Sequence, residues 1–250
     1  MESSAESTLS PSWSDTPAKA SIITRPLSGS TKHKQATLVN TSQLVTLFNG
    51  DSTEKFVVHK DFACHYSPVL RAAFNSNFLE GQTQEYQLQG TTEDAIRQVV
   101  NWFYTQKLDI RQLGPEGNIK KGQVDTDLKR KEDATLVELW VLADKLLVPK
   151  LQNAIVEEMQ RIRLQIHHLP SGCYMVAYEK TQDGSPLRKF LVDGCAGSSV
   201  PQGLLKGLTN ALPKDMLMDL FLAAKAAIVN SARKEMRPEQ DMARYKVLED

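Results

Sequence analysis

The stretch from Leu44 to Gln106 constrains the fold more than any other, because its apolar spacing switches repeatedly between strand and helix within fewer than seventy residues. Two apolar runs, Leu44–Phe48 and Phe56–Val58, flank a polar segment that opens with Asn49-Gly50. That pair readily takes up the positive φ angles of a tight hairpin. From His59 to Tyr66 the apolar residues Phe62, Ala63 and Tyr66 recur at helical spacing. Ser67-Pro68 then reads as a capping hydroxyl followed by a first-turn proline, and Val69, Leu70, Ala73 and Phe74 give the helix it starts a buried stripe. A third strand is predicted over 85–89, with Tyr86 and Leu88 on one face. Thr91 with Asp94 three residues later has the form of a capping box. The helix it opens presents Ala95, Ile96, Val99, Val100, Phe103 and Tyr104 on one side. Strand, strand, helix, helix, strand, helix is an α+β pattern.

The rest of the chain reads as one loop and a series of helices. From Arg111 to Asp133, glycine, proline and alternating charge with few apolar residues predict a solvated, disordered insertion. Its basic clusters, Lys120-Lys121 and Lys129-Arg130-Lys131, are diluted by Asp125, Asp127, Glu132 and Asp133. Ala134–Val148 is the strongest helix, with Leu136, Leu139, Trp140, Ala143, Leu146 and Leu147 at i, i+3, i+4, i+7. After Pro149 a second helix runs from Lys150 to about Ile166, with Leu151, Ala154, Ile155, Met159 and Ile162 inward. Val57, Trp102 and Trp140 are expected to share one interior. Further helices are predicted at 173–180, 187–195 and 213–231. The last carries an apolar stripe of Met216, Leu217, Leu220, Phe221, Ala224 and Ile228, for which docking within the chain is the expectation. Residues 1–43, rich in Ser, Thr and Pro, read as a disordered leader with isolated apolar spots such as Trp13.

Composition narrows the chemistry. Thirty basic residues balance thirty acidic ones, which removes any general electrostatic attraction to nucleic acid or an anionic membrane. Cys64, Cys173 and Cys195 are scattered and odd in number, so free thiols in a reducing compartment fit better than a disulfide framework. No apolar run is long enough to cross a bilayer, and no basic cap precedes an apolar stretch at the N-terminus. An intracellular protein of cytoplasm or nucleus is expected. The chain has no GxSxG elbow, no GxGxxG after a strand, no GxxxxGK[ST] loop and no HExxH helix. Cys64-His65 and His167-His168 lack the four spaced ligands of a zinc site. No catalytic residue, cofactor or metal is therefore expected.

Three strings carry a family resemblance: Phe56-Val57-Val58-His59-Lys60-Asp61-Phe62, then Ser67-Pro68-Val69-Leu70 with Ala73-Phe74, and Trp102-Phe103-Tyr104-Thr105 before a short strand at Lys107–Ile110. A fourth lies downstream in Leu139–Leu146 with Val148-Pro149-Lys150-Leu151. Together they resemble BTB/POZ domains, in the style of fungal BTB proteins of unassigned role. The resemblance implies a BTB/POZ domain over 44–166; with the residue pattern already described, this leaves a leader over 1–43, an insertion near 111–133, a helical extension over 167–235 and a flexible tail over 236–250. It makes His59, Lys60, Ser67 and Pro68 the structural signature, with the His59 ring nitrogens satisfying buried backbone groups.

It also implies an assembly module without enzymatic activity, a homodimer whose face includes Phe62 and Tyr66, and alternatively an adaptor for a cullin-based ubiquitin ligase. In that subset a loop carries an apolar residue, any residue, then Glu, and Phe78-Leu79-Glu80 stands at the matching place. A nuclear, transcription-associated scaffold is a further alternative. Leu44 and Val57 stand where repressor relatives carry a charged pair that meets in the dimer pocket, a departure that bears on dimer geometry.

Overall fold

The computed structural model describes residues 36–50, 53–112, 126–166, 172–197 and 212–228. Two strands, β1 (Leu44–Asn49) and β2 (Lys55–His59), pair antiparallel, with Leu44 opposite His59 and Leu47 opposite Phe56. A third, β3 (Glu85–Leu88), joins the other edge of β1 in parallel, giving the order β2-β1-β3. A parallel partner needs a crossover, and three short helices supply it: α1 (Lys60–Tyr66), α2 (Pro68–Phe74) and α3 (Leu79–Thr83). Ser67 caps α2 by accepting the Leu70 amide at 3.1 Å, ahead of the first-turn Pro68. Helix α3 has too few residues for a period to show and was not expected from the sequence.

Val45, Leu47, Phe56 and Val58 face the helices, and the period of two turns Val57 outward, 54% exposed. The expectation for Val57 is thus corrected. Trp102 and Trp140 do share one buried cluster, and the β2 residues in it are Phe56 and Val58. Helix α4 (Glu93–Thr105) is capped by Thr92, whose hydroxyl accepts the Ala95 amide, whereas the sequence suggested Thr91. The strand expected at Lys107–Ile110 is absent. The Gln98 side chain donates to the Asp109 carbonyl at 2.7 Å and accepts the Asp109 amide at 3.2 Å, taking both groups a neighbouring strand would use.

Helix α5 spans Thr126–Lys145, so the end of the expected insertion, 126–133, is helical. Its charges are engaged: Lys131 pairs with Asp94 of α4 at 2.7 Å, and the Glu132 carboxylate accepts the amides of Arg111 and Gln112, each at 2.9 Å. At its end the Val148 amide donates to the Ala143 carbonyl (2.8 Å) and the Leu147 amide to that of Asp144 (3.0 Å). This paired pattern places Leu147 in the left-handed region at φ 54°, exposed, instead of on the inward stripe. Helix α6 (Pro149–Ile166) packs on α5 through Leu151, Ile155, Met159 and Ile162.

Helices α7 (Tyr174–Lys180), α8 (Pro186–Ala196) and α9 (Lys214–Ala227) form the extension. Helix α7 packs on α5, and Cys173, Tyr174 and Ala177 join the same apolar cluster as the sheet. Lys180 bridges to Glu138 of α5 at 2.7 Å. Buried Arg188 staples the α7–α8 turn, donating to the carbonyls of Tyr178 and Thr181 and to Asp183, with its guanidinium 4.4 Å from the Tyr178 ring. The Tyr178 hydroxyl in turn donates to Asp219 of α9 at 2.7 Å. The expected α9 stripe is split. Met216 docks against the cluster while Leu217, Met218, Phe221 and Leu222 stay exposed.

Residues 36–43, expected to be part of the disordered leader, follow a defined path across α1. Expectations for residues 1–35, 113–125 and 236–250, including Trp13, Lys120 and Lys121, and for His167 and His168, fall outside the described residues.

Asp133 is 5% exposed, and its carboxylate accepts a bond from the Gln112 side-chain Nε2 at 3.3 Å. Burial, aided by the neighbouring Glu132, pushes its pKa from 3.8 up to about 6. The folded state therefore binds this proton more tightly than the unfolded chain. Its favourable contribution is complete below the unfolded value and disappears as pH rises through about 6. At pH 7, Asp133→Asn should raise unfolding free energy by on the order of 1–3 kcal/mol. Denaturant titrations should show that advantage shrinking as pH falls from about 6 toward 4.

Candidate protein-interaction surfaces

Strand alternation and the first helix together build one apolar face. Leu44 and Val57 point away from the core and are 48% and 54% exposed. Leu44 lies opposite His59 in the ladder, and Val57 shares the outward side of β2 with it. His59 in turn touches the end of α4. Its backbone amide donates to the Tyr104 hydroxyl at 2.9 Å, and its Nδ1 lies 2.8 Å from the same oxygen. One tyrosine hydroxyl thus serves both the backbone and the ring of His59. The expected backbone partner for the His59 ring is thus replaced by a tyrosine hydroxyl. Phe62 packs on Tyr104 with ring centroids 4.8 Å apart, extending the face onto α1.

Tyr66, placed with Phe62 on the expected dimer face, is turned further inward. Its ring lies 5.2 Å from Trp102 and 5.9 Å from Phe103, and only the hydroxyl end reaches the surface segment, accepting the Ala36 amide at 3.4 Å. Lys60 donates to the Phe74 carbonyl at the end of α2 at 2.8 Å. Ser67, besides capping α2, donates to the Leu146 carbonyl at 2.7 Å, and Pro68 opens the helix. These signature residues join the crossover helices to α5 and to each other.

A second surface stands at the start of α3. Phe78 and Leu79 are 77% and 70% exposed, and Glu80 follows in the first turn. The segment carrying them is braced from several sides. The Phe78 amide donates to Ser76 Oγ (3.2 Å), Gln82 donates to the Asn77 carbonyl (2.9 Å), and Gln84 donates to the carbonyls of Phe74 (3.1 Å) and Gly81 (2.6 Å). Two large apolar groups are held in water on a fixed backbone. The family resemblance singled out Phe78 and Glu80; the helical stripe placed Tyr104 inward, where the structure leaves it 38% exposed, and Leu79 and Asp61 carried no periodic signal that would have marked them.

No convergent chemistry accompanies these surfaces. A groove of about 300 Å³ between α4 and α5 is lined by Asp94, Arg97, Lys131 and Glu132, with Asp94 paired to both Arg97 and Lys131. Among the described residues no group of three or more His, Cys, Asp or Glu is placed to hold a metal ion. No helix among them is long and apolar enough to cross a membrane.

A family model for the BTB/POZ domain matches residues 44–163. Residues 44–163 are a BTB/POZ domain. Among solved structures, the chain is similar to the BTB (Tramtrack and Bric a brac) domain of human Gigaxonin, at 18% identity over 46% of this chain and 75% of that one, with a TM-score of 0.32. It is also similar to the BTB domain of zebrafish PATZ1, at 18% identity over 47% of this chain and 75% of that one, with a TM-score of 0.31. No curated protein matches the chain. BTB domains are protein–protein interaction modules rather than enzymes, and they often dimerise. The match ends at residue 163, whereas the apolar cluster of this chain continues through Cys195 to Met216.

Gly81 decides how the second surface is presented. A Cβ added there would lie 1.9 Å from the Ser76 carbonyl oxygen, a backbone atom already fixed beside α2. Alanine gains roughly 0.5–1 kcal/mol over glycine in a helix, but forced overpacking costs about 1–3 kcal/mol, so the clash wins. Urea unfolding of Gly81→Ala should show a net loss of about 1 kcal/mol or more. A more stable variant would mean that α3 does not close against Ser76 in solution.

Proposed function

We propose that this chain is a non-enzymatic protein-interaction module that self-associates through the face of Leu44, Val57, Phe62 and Tyr104. The observation that carries this reading is the continuity of that face. Outward strand residues, a helix residue and the end of α4 meet around His59, and two of the aliphatic side chains are about half exposed, with no element among the described residues over them. Apolar area left in water on a rigid support is what a second copy can bury. Replacing the charged pair of repressor relatives by Leu44 and Val57 makes the contact hydrophobic, so its salt dependence is low. Sedimentation velocity at tens of micromolar should show a monomer–dimer equilibrium, weakened about tenfold or more by Val57→Glu, which places a charge in the contact. A wild-type chain that stays monomeric across that range removes the reading.

A second reading is favoured by Phe78, Leu79 and Glu80. Their exposure on a braced loop supports use of this site by a helical partner surface, with Phe78 filling a pocket and Glu80 bonding at its edge. In this reading the BTB protein is a substrate adaptor that recruits a cullin scaffold. Capture of purified cullin should fall at least tenfold when Phe78 and Glu80 are both replaced by Ala, as expected for loss of an anchor residue. Equal capture by the two forms would dispose of it.

A further inference from the structure

Residues 36–43 lie along α1 in a manner that neither the sheet nor the apolar cluster requires. The amides of Val39 and Asn40 both donate to Asp61 Oδ2, at 2.9 and 2.7 Å, near the start of the helix. The Ala36 amide donates to the Tyr66 hydroxyl at the other end, and the Gln43 carbonyl accepts the Lys60 amide at 2.9 Å. The segment therefore runs the length of α1 in the opposite direction. Successive helical residues turn by about 100°, so Phe62 and His65 lie on the arc between its two anchor points, Asp61 and Tyr66. The two amides, Asn40 first, hold the Asp61 carboxyl below the usual carboxylate range, so it is ionised at neutral pH and both bonds are charge-assisted.

The way the segment is held shows what it is suited for. Its residues from Thr37 to Gln43 are all exposed, Val39 at 84%, so no buried apolar side chain anchors it. Attachment is by backbone groups to one carboxylate, one hydroxyl and one helix-end amide. Such a contact is specific in register yet easily exchanged with water, because exposed polar bonds contribute little net free energy. A permanent structural element would bury side chains. A displaceable cover would not.

We propose that residues 36–43 form a strap, clipped by Asp61, that covers the α1 edge of the self-association face and must lift before a second copy of this chain can dock there. This rests on the self-association reading and adds its regulation. Each protomer of a symmetric pair carries its own strap, so releasing the clip acts twice on one dimerisation equilibrium.

The test uses the full chain with the clip broken from either side. Asp61→Ala removes the acceptor, and Asn40→Pro removes the closer donor while leaving the helix intact. Asp61 is partly exposed at a helix surface and neither change touches the core, so both variants should fold, as far-ultraviolet circular dichroism will verify. Hydrogen exchange at the Val39 amide should quicken in Asp61→Ala, and sedimentation velocity should show both variants dimerising about tenfold or more tightly than wild type, the scale expected for losing one or two charge-assisted bonds on each side. Unchanged exchange at Val39 overturns the clip while leaving self-association standing. Faster exchange with unchanged dimerisation overturns the gate. If wild type and both variants remain monomeric, self-association itself fails and the gate fails with it.

Discussion

Helix α5 has no solvent face through its middle turns, and the rest of the structure follows from that. Leu136, Val137, Leu139, Trp140, Val141, Leu142 and Ala143 are all buried, because α4, α6 and α7 each pack on a different side of it. A helix covered all round must dispose of its terminal polar groups within the protein. The left-handed Leu147 returns two amides to the last turn, and Ser67 donates to the Leu146 carbonyl from the cap of α2. One hydroxyl thus closes one helix and opens another, which fixes the crossover of the sheet against the helical half. The same burial accounts for Asp133, carried below the surface where the early turns of α5 meet residues 111–112.

Because α5 is shared, the helices beyond the family match are not an appendage. Helix α7 closes a side of α5 that would otherwise expose apolar surface, and the Arg188 and Tyr178 contacts carry that order onward to α8 and α9. Burying several large side chains at about 1.5–3 kcal/mol each outweighs any single surface ion pair in this arrangement. Lys180–Glu138 and Arg188–Asp183 serve to set register; the apolar cluster supplies the stability.

What the core leaves uncovered is equally informative. Leu44 and Val57 on the outward side of β1 and β2, the Phe78-Leu79 pair and the outer side of α9 are apolar groups left exposed. The first of these abuts α1, over which an exposed segment is held by polar bonds alone. A buried helix makes the scaffold stiff, and a stiff scaffold lets small surface groups act at fixed positions. A scaffold of this kind suits the protein-interaction role of BTB domains.

Local pattern was enough for much of this. The alternation of β1 and β2, the Ser67-Pro68 start, the stripes of α4 and α6 and the order of elements were legible because each depends on residues close in sequence. Phe78 and Glu80 were legible only as a three-residue match. Their exposure, and that of Leu79, depends on Ser76 and Gln84 folding around Gly81. Helix 126–133 was hidden because its charges signal solvent until Asp94 and residues 111–112 arrive to pair with them. Val57 and Leu147 were assigned inward on hydrophobicity, whereas strand parity and a helix terminus turned them out. The tertiary structure alone decided that Gln98 would occupy the backbone of Asp109 and that Asp61 would hold residues 39 and 40. Such contacts join side chains to backbone groups distant in sequence, and backbone groups are the same in every residue, so no pattern of side chains can announce them.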